Sequence, residues 1–355
     1  MKVTFDDIIY EIQNAGGISK YWAKLSYQLS LNKDIEAINL QGRNAKSNIF
    51  FNMKTKNKIN YTFSIPSKIK RYFPPLIKHD CDIFHSSYYR TPMLRNQSVK
   101  QVVTVHDFMY ELFDGGMKKK IHIWQKSKAI LNADAVICVS EHTKKDLMRF
   151  YPQIKRDILY VVPNGVDEEF KVLPKKNTKK EFLLYVGSRV GCKNFSFIPE
   201  LMLESSLIKE KQFDVFCVGG GKFSKNELEI FQAYGLEERF KHFDNIDNDE
   251  LNILYNHAYA LLFPSKYEGF GIPVLEAQVA GCPVLYAKTS SLPEVMAYSD
   301  LGHTLNNVNE ASLKLNQLED KAFREKIVSK GMKFASKLTW KNTANLTYKV
   351  YKEIL

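Results

Sequence analysis

The stretch Phe263–Gly281 reads F-P-S-K-Y-E-G-F-G-I-P-V-L-E-A-Q-V-A-G and joins the end of an apolar run to a glycine loop and a helical pattern. Gly269 and Gly271 allow a ligand to approach the backbone closely. Pro273 suits the first turn of a helix, where free amides and the helix dipole attract an anion. The stretch therefore predicts a strand–loop–helix unit that can bind an anionic ligand.

Two carboxylates lie eight residues apart in this stretch. Glu268 is in the loop and Glu276 is in the predicted first turn of the helix, so both side chains can face one ligand. The alternative is an ordinary helix start with an acidic first turn, which is common in proteins. The residues of this stretch leave both interpretations open.

The rest of the chain repeats the alternation of apolar strand-like runs with amphipathic helical stretches. One series precedes the turn Pro163–Gly165 and the charged stretch Lys171–Lys180, which together form a predicted hinge, and a second series follows. Two such series predict an α/β fold with two tandem Rossmann-like, doubly wound domains that face each other across a cleft. We place the domains at residues 1–165 and 166–339. The tail Trp340–Leu355 is amphipathic, with apolar positions that include Leu346 and Leu355, so one domain must cover its apolar face.

Composition narrows the class of protein. The chain has 355 residues, of which 45% are hydrophobic, and a formal net charge of +12. Such a composition excludes wholesale disorder, and the positive charge favours polyanionic partners without choosing among them. The five cysteines are widely spaced, without the C-x-x-C pairs of a structural zinc site. No signal peptide or membrane-spanning run is apparent, so we expect a cytoplasmic protein.

Cations and glycines follow two other predicted strands. The loop Gly187–Asn194 contains Arg189 and Lys193, which either neutralise a phosphate leaving group or belong to a solvated basic loop. Gly16 and Gly17 precede a helical pattern, where they either admit a phosphate or form an ordinary turn.

Two histidines also come directly after apolar runs. His106 and His85 follow strands of the first domain, and ligand contacts in open α/β sheets lie at that edge. A lone histidine is more often a structural group, so the spacing alone does not decide its role. Tyr88 and Asp107 lie beside the two histidines and join His85 as candidates for an acceptor pocket.

The segment P-S-K-Y-E-G-F-G-I-P-V-L-E-A-Q-V-A-G-C-P-V-L resembles the E-x7-E region of glycosyltransferase family 4, the retaining nucleotide-sugar enzymes with the GT-B fold. The resemblance also covers the glycine loop at Gly17, the histidine at position 106, the P-N-G-V-D turn that begins at Pro163, and the basic loop that ends at Asn194. It therefore spans nearly the full chain. It implies a GT-B architecture in which a helix at residues 340–355 packs back on the first domain.

The resemblance also implies roles for individual residues. Glu276 would hold the ribose hydroxyls of the donor, and Glu268 and His106 would act at the donor sugar as catalytic residues. Lys193 has the family's spacing from the glycine that opens its loop, whereas Ser188 stands where similar proteins have an arginine and Arg189 comes one position later. The donor-binding residues implied are Gly17, Arg189, Lys193, Ile246, Phe270, Gly271, Ile272, Leu275 and Glu276.

The function implied is transfer of a hexose, mannose-like or a deoxy-sugar, from a nucleotide diphosphate sugar to a glycan or lipid-linked saccharide with retention of configuration. O-antigen, capsule or exopolysaccharide synthesis would be its setting. No metal ion is required, because cations and helix amides supply the positive charge. The alternatives are a nucleotide-sugar epimerase or phosphorylase on the same fold and, in another class, a basic nucleic-acid-binding protein, for which no recognition motif is present.

One basic stretch suggests a further partner. Lys68–Lys78 reads K-I-K-R-Y-F-P-P-L-I-K, which is typical either of a basic surface loop or of a patch that touches anionic lipid. The second interpretation predicts a peripheral protein at the inner face of the cell membrane.

Overall fold

The chain forms two compact units in the computed structural model. One unit comprises Met1–Gly165 with Trp340–Leu355, and the other comprises Val166–Thr339. The structure describes residues 1–51, 57–60, 67–94, 98–113, 115–174 and 181–355. Residues 175–180 of the predicted hinge lie outside them.

The first unit is a parallel sheet with helices between its strands. Its strands are β1 (Lys2–Asp6), β2 (Glu36–Gln41), β3 (Asn57–Asn60), β4 (Leu76–Ile77), β5 (Ile83–Ser86), β6 (Met93–Leu94), β7 (Lys100–Val105), β8 (Ala135–Cys138) and β9 (Leu159–Val161). Its helices are α1 (Ile9–Ile12), α2 (Gly17–Ser30), α3 (Ser67–Lys70), α4 (Met109–Leu112), α5 (Gly116–Leu131) and α6 (Glu141–Phe150). The sheet has the order β3-β2-β1-β5-β7-β8-β9, and β4 pairs separately with β6.

The second unit has the same kind of architecture. Its strands are β10 (Phe182–Val186), β11 (Asp214–Val218), β12 (Phe240–Phe243), β13 (Ala258–Phe263), β14 (Val284–Ala287) and β15 (Gly302–His303). Its helices are α7 (Phe197–Glu204), α8 (Ser206–Lys211), α9 (Lys225–Ala233), α10 (Asn248–His257), α11 (Ile272–Val279), α12 (Leu292–Val295), α13 (Val308–Asn316) and α14 (Lys321–Ala335). The parallel strands have the order β12-β11-β10-β13-β14-β15.

The inner strands of both parallel sheets are buried on both faces. Every residue of β5, β8, β13 and β14 is buried. Such strands suit a sheet with helices on both sides, because neither face meets water. The prediction of two doubly wound α/β domains is confirmed.

A last helix, α15 (Trp340–Ile354), returns to the first unit and packs on α2. The hydroxyl of Thr343 donates to the carbonyl of Pro163 at 2.8 Å, which ties the start of α15 to the end of the first stretch of that unit. The buried side chains of α15 are those of Trp340, Thr343, Ala344, Thr347, Val350 and Tyr351. The sequence pattern predicts Leu346 and Leu355 on this face, but both side chains are exposed. The buried face instead contains Thr343 and Thr347.

The helices of the described residues are short. None of them is long and apolar enough to span a membrane.

A buried histidine connects α15 to the core of the first unit. His85 on β5 is fully buried, with Nδ1 2.6 Å from the Tyr351 hydroxyl and Nε2 2.9 Å from the Thr104 hydroxyl. The Trp22 ring lies edge-on at 5.1 Å. Burial, with a smaller contribution from nearby His106, lowers the pKa of His85 to about 3.

We predict that His85 makes the protein sensitive to acid. Its pKa is lower in the folded state than in the unfolded chain, so the stabilisation is complete above about pH 6.5 and is lost as the pH falls towards 3. Between pH 7 and pH 5 this single group should remove about 2 kcal/mol of unfolding free energy. His85→Gln should reduce that pH dependence, measured by urea unfolding at both pH values. Equal pH dependence in the two proteins would contradict the prediction, since all other groups titrate alike in both.

Candidate active site

Two loops of the second unit meet because their strands are neighbours. β10 pairs with β13, so the loop after Val186 and the loop after Phe263 leave the same edge of the sheet. The backbone amide of Lys266 donates to the carbonyl of Cys192 at 2.7 Å, and Asn194 donates to the carbonyl of Pro264 at 3.1 Å. Hydrogen bonds therefore join the loop after β10, residues 187–194, to the loop after β13, residues 264–271. We call the first the basic loop and the second the acidic loop.

An ion pair joins the two predicted charges at this edge. The Lys193 ammonium donates to a carboxylate oxygen of Glu268 at 2.6 Å, and the two side chains are 24% and 10% exposed. Seventy-five residues separate them in the chain. The pair leaves a cation and a carboxylate side by side at a position that solvent can still reach.

Two serines hold the acidic loop in place. The Glu268 amide donates to the Ser290 hydroxyl at 2.8 Å, and the Ser291 hydroxyl donates to the carbonyls of Glu268 and Phe270 at 2.9 and 3.0 Å. Ser291 is fully buried. Sequence reasoning missed both serines, because their position beside the loop results from the chain's return after β14.

The helix α11 begins directly after this loop. Gly271 has a φ of +106°, which favours glycine, and Pro273 occupies the first turn. Inside the helix the Glu276 side chain is buried, and its Oε2 accepts a hydrogen bond from the Tyr255 hydroxyl at 3.1 Å. Tyr255, on α10, is a further residue that the sequence pattern did not single out.

The other predicted donor residues of this unit differ in exposure. Phe270 and Leu275 are buried, so only their main chain could meet a ligand, whereas Ile272 is partly exposed at the start of α11. Ile246 is partly exposed in the segment that follows β12.

The Arg189 side chain is held by hydrogen bonds inside the second unit. Its guanidinium donates to the carbonyls of Gly219, Gly221 and Lys222 at 2.7 to 2.9 Å and to the Glu227 carboxylate at 2.7 Å. The side chain is 3% exposed. Four of its five donors are thus engaged inside the unit. The physical reason is the pairing of β10 with β11, which brings the glycine turn after β11 beside position 189.

In the first unit, two predicted residues are at least partly exposed. Gly17 is exposed at the start of α2, and a Cβ added there would meet no atom within 4 Å. His106 follows β7 and is partly exposed, with its ring 4.8 Å from that of Tyr21. Burial lowers the pKa of His106, the carboxylate of Asp107 raises it and the nearby Lys126 ammonium lowers it, with a net shift below the usual value. The imidazole is therefore neutral at pH 7.

The three residues predicted for an acceptor pocket have different surroundings. His85 lies in the core described above, with both ring nitrogens hydrogen-bonded, so the structure places it away from any surface that an acceptor could reach. Tyr88 is buried, and its hydroxyl lies 3.1 Å from His122. Asp107 is partly exposed; it accepts from the Met109 amide at 3.1 Å, and its carbonyl accepts from Lys126.

The basic stretch Lys68–Lys78 does not present all its cations to solvent. Lys70 is buried and pairs with Glu11 at 2.9 Å, because α1 packs against α3. Tyr72, Phe73 and Lys78 are exposed.

Among the described residues, no three histidine, cysteine or carboxylate side chains are grouped as metal ligands would be.

Comparisons with known proteins agree with this architecture. A family model described as Glycosyltransferase Family 4 matches residues 39–170, and a model described as Glycosyl transferases group 1 matches residues 166–334. Among curated proteins, O-antigen chain mannosyltransferase B of Escherichia coli is 24% identical over 284 residues, which are 76% of this chain and 74% of that protein. The serotype-specific mannosyltransferase WbdA of Escherichia coli is 26% identical over 293 residues, and the match spans only 36% of its length.

Solved structures show the same fold at low identity. Alr3699/HepE of Anabaena, crystallised with UDP and glucose, has a TM-score of 0.76 with 16% identity and covers 99% of this chain and 100% of its own. WaaG, a glycosyltransferase involved in lipopolysaccharide biosynthesis, has a TM-score of 0.69 with 14% identity and covers 99% of both chains. The two family models together span residues 39–334, and the chain therefore belongs to the glycosyltransferases of family 4 and group 1, with the GT-B fold.

Proposed function

We propose that the chain transfers a hexose, mannose in the first instance, from a nucleotide diphosphate sugar to a glycan or lipid-linked saccharide. The observation that carries the proposal is the Lys193–Glu268 ion pair. Glu268 lies in the loop that immediately precedes α11, in the unit matched by the group 1 model. The mannosyl specificity and the setting in O-antigen synthesis rest on the names of the sequence relatives. UDP-sugar binding by the structural neighbours supports a nucleotide sugar as co-substrate.

The second unit offers a separate group for each part of the donor. The start of α11 and Lys193 suit the diphosphate, since helix amides and an ammonium both favour anions. Glu276 suits the ribose hydroxyls, because a carboxylate is a strong hydrogen-bond acceptor and Tyr255 already fixes its orientation. Glu268 suits the sugar hydroxyls beside the diphosphate.

In the proposed reaction, the bond between the anomeric carbon and the diphosphate oxygen breaks, and its electron pair stays on the diphosphate. The acceptor hydroxyl forms the new bond on the same face of the sugar, so configuration is retained, and its proton passes to the departing diphosphate. Lys193 and the α11 amides stabilise the charge that develops on the leaving group. This scheme needs no metal ion and no enzyme nucleophile, and it leaves Glu268 the task of positioning the sugar.

The first experiment is a calorimetric screen of GDP, UDP, dTDP and ADP, each with and without magnesium. We expect micromolar binding of one nucleotide, unaffected by magnesium, and its identity names the donor class. Failure of all four to bind would overturn the proposal. Phosphate-dependent turnover, or conversion of the donor without acceptor, would favour the phosphorylase or the epimerase instead.

Glu276→Ala should mainly weaken donor binding. Loss of a buried carboxylate that binds ribose should raise the dissociation constant about 10- to 100-fold. Glu325→Ala is the matched control, since that side chain is 69% exposed on α14, and calorimetry should show no change. Unaltered affinity in Glu276→Ala would refute the assignment of Glu276 to the nucleotide.

His106→Ala should mainly lower turnover. A neutral imidazole that contacts the sugar in the transition state contributes to kcat rather than to nucleotide affinity, so kcat should fall about 10- to 100-fold with donor binding retained. Steady-state kinetics with a radiolabelled donor measures both quantities. Near-wild-type kcat would exclude a role for His106 in the reaction.

The two cations of the basic loop should respond differently to substitution. Arg189→Met leaves three carbonyls and the Glu227 carboxylate without their donor, so the unfolding free energy should fall by about 3 kcal/mol. Arg189→Lys should restore little of it, because an ammonium cannot replace the planar fork of donors. Lys193→Met should lower the unfolding free energy less than Arg189→Met, because the Lys193 side chain is 24% exposed and that of Arg189 is 3% exposed, but it should weaken nucleotide diphosphate binding.

Denaturant unfolding and calorimetry on the three variants separate stability from binding. If the Arg189→Met protein unfolds like wild type yet loses nucleotide affinity, Arg189 binds the diphosphate and does not mainly stabilise the fold.

A further inference from the structure

The imidazole of His106 packs against a buried aromatic ring. The Tyr21 side chain on α2 has its ring centre 4.8 Å from that of His106, and the two rings are nearly perpendicular, at 83°. Tyr21 is 1% exposed, whereas His106 is partly exposed. Perpendicular aromatic pairs at this distance are favourable contacts. The Tyr21 ring therefore limits the orientations that the His106 imidazole can adopt.

The Tyr21 ring has a second aromatic neighbour, at the start of α15. The ring of Trp340 is centred 6.0 Å from it, at an angle of 66°. Trp340 is buried, and α15 packs on α2 along its length. Tyr21 therefore contacts both His106 and the last helix of the chain with the same ring.

The Tyr21 hydroxyl is connected to α15 by a separate route. It lies 3.3 Å from the Thr104 hydroxyl, which in turn lies 2.9 Å from Nε2 of His85. The other ring nitrogen of His85 is 2.6 Å from the hydroxyl of Tyr351 on α15. All four side chains are buried. Buried hydrogen bonds of this kind hold side chains in place, because no water is available to replace a partner that moves away.

The orientation of His106 matters for any reaction in which its imidazole contacts the substrate. A partly exposed side chain changes rotamer freely unless its neighbours prevent it. A group that acts in a transition state must be held close to one geometry, since a small displacement lowers the rate. The Tyr21 contact supplies such a restraint before any ligand binds.

We propose that Tyr21 is a positioning residue for His106. Helix α15 in turn holds Tyr21, directly through Trp340 and by the hydrogen bonds that end at Tyr351. This inference rests on the proposed function, in which His106 acts at the donor sugar. It gives the last helix a part in turnover in addition to covering the core of the first unit.

Two substitutions of Tyr21 separate the ring from the hydroxyl. Tyr21→Phe keeps the ring and should keep kcat within about twofold of wild type. Tyr21→Leu removes the ring and should lower kcat about tenfold, with the dissociation constant of the nucleotide unchanged. Trp340→Leu should lower kcat in the same way but less. Steady-state kinetics with a radiolabelled donor and calorimetry measure the two quantities, at a temperature well below every unfolding midpoint.

Phe84→Leu is the matched control for lost core packing. Phe84 is 1% exposed on β5 and belongs to a core cluster with Leu40 and Val99, on the opposite face of the strand from His85. The substitution should lower the unfolding midpoint about as much as Tyr21→Leu does and leave kcat unchanged. An equal fall of kcat in the control would mean that lost stability explains the effect, and it would overturn the proposal.

A double-mutant cycle tests whether Tyr21 acts through His106. In the His106→Ala background, Tyr21→Leu should cause no further fall in kcat, because the side chain that it positions is gone. Losses that multiply as independent effects would overturn the proposal. Wild-type kcat in His106→Ala would overturn it as well, since Tyr21 would then have no reacting group to position.

NMR of the histidine side chains detects the contact without relying on turnover. An aromatic ring 4.8 Å away shifts the imidazole proton resonances of His106, which are assigned by their loss in His106→Ala. Tyr21→Leu should move these resonances, and Phe84→Leu should not. Unchanged His106 resonances in Tyr21→Leu would overturn the proposal whatever the activity. Absence of sugar transfer by the wild-type protein is a failure of the proposed function instead, and it does not alter this spectrum.

Discussion

Parallel pairing of neighbouring strands is the constraint on which the candidate site depends. Because β10 lies between β11 and β13, the loops that follow these three strands leave the sheet at one edge. Lys193 after β10 therefore reaches Glu268 after β13, although seventy-five residues separate them. The same arrangement brings Arg189 to the glycine turn after β11. Lys193 and Arg189, which lie in the same loop, therefore contact the loops that follow the two strands on either side of β10.

The surroundings of these cations determine what each can do. The Lys193 side chain is 24% exposed, whereas the side chain of its partner Glu268 is 10% exposed. Arg189 is almost fully buried, and removal of its partners would leave an uncompensated charge. Solvent can therefore reach Lys193, whereas the Arg189 side chain is held inside the unit. This difference follows from solvent access, since both residues are strong cations.

The two units use positive charge in different ways. In the second unit Arg189 and Lys193 are each paired with a specific carboxylate, that of Glu227 and that of Glu268. In the first unit Lys120 and Lys128 of α5 are exposed, whereas Lys126 of the same helix forms a buried pair with Glu111. The net charge of +12 does not distinguish these two arrangements of positive charge. Only its distribution shows which cations are paired with carboxylates and which face solvent.

Sequence alone was enough to predict two doubly wound α/β domains, since strand-like runs apolar on both faces appear directly in the residue order. The E-x7-E segment likewise identified the family. Partners that lie far apart in the chain could not be predicted: Tyr255 for Glu276, Ser291 for the acidic loop, and the glycine turn for Arg189. The same holds for His85, whose position after a strand suggested a ligand, while α15 covers it from the other end of the chain. Tertiary structure decides such contacts because burial and strand order, which periodicity does not encode, set which side chains meet.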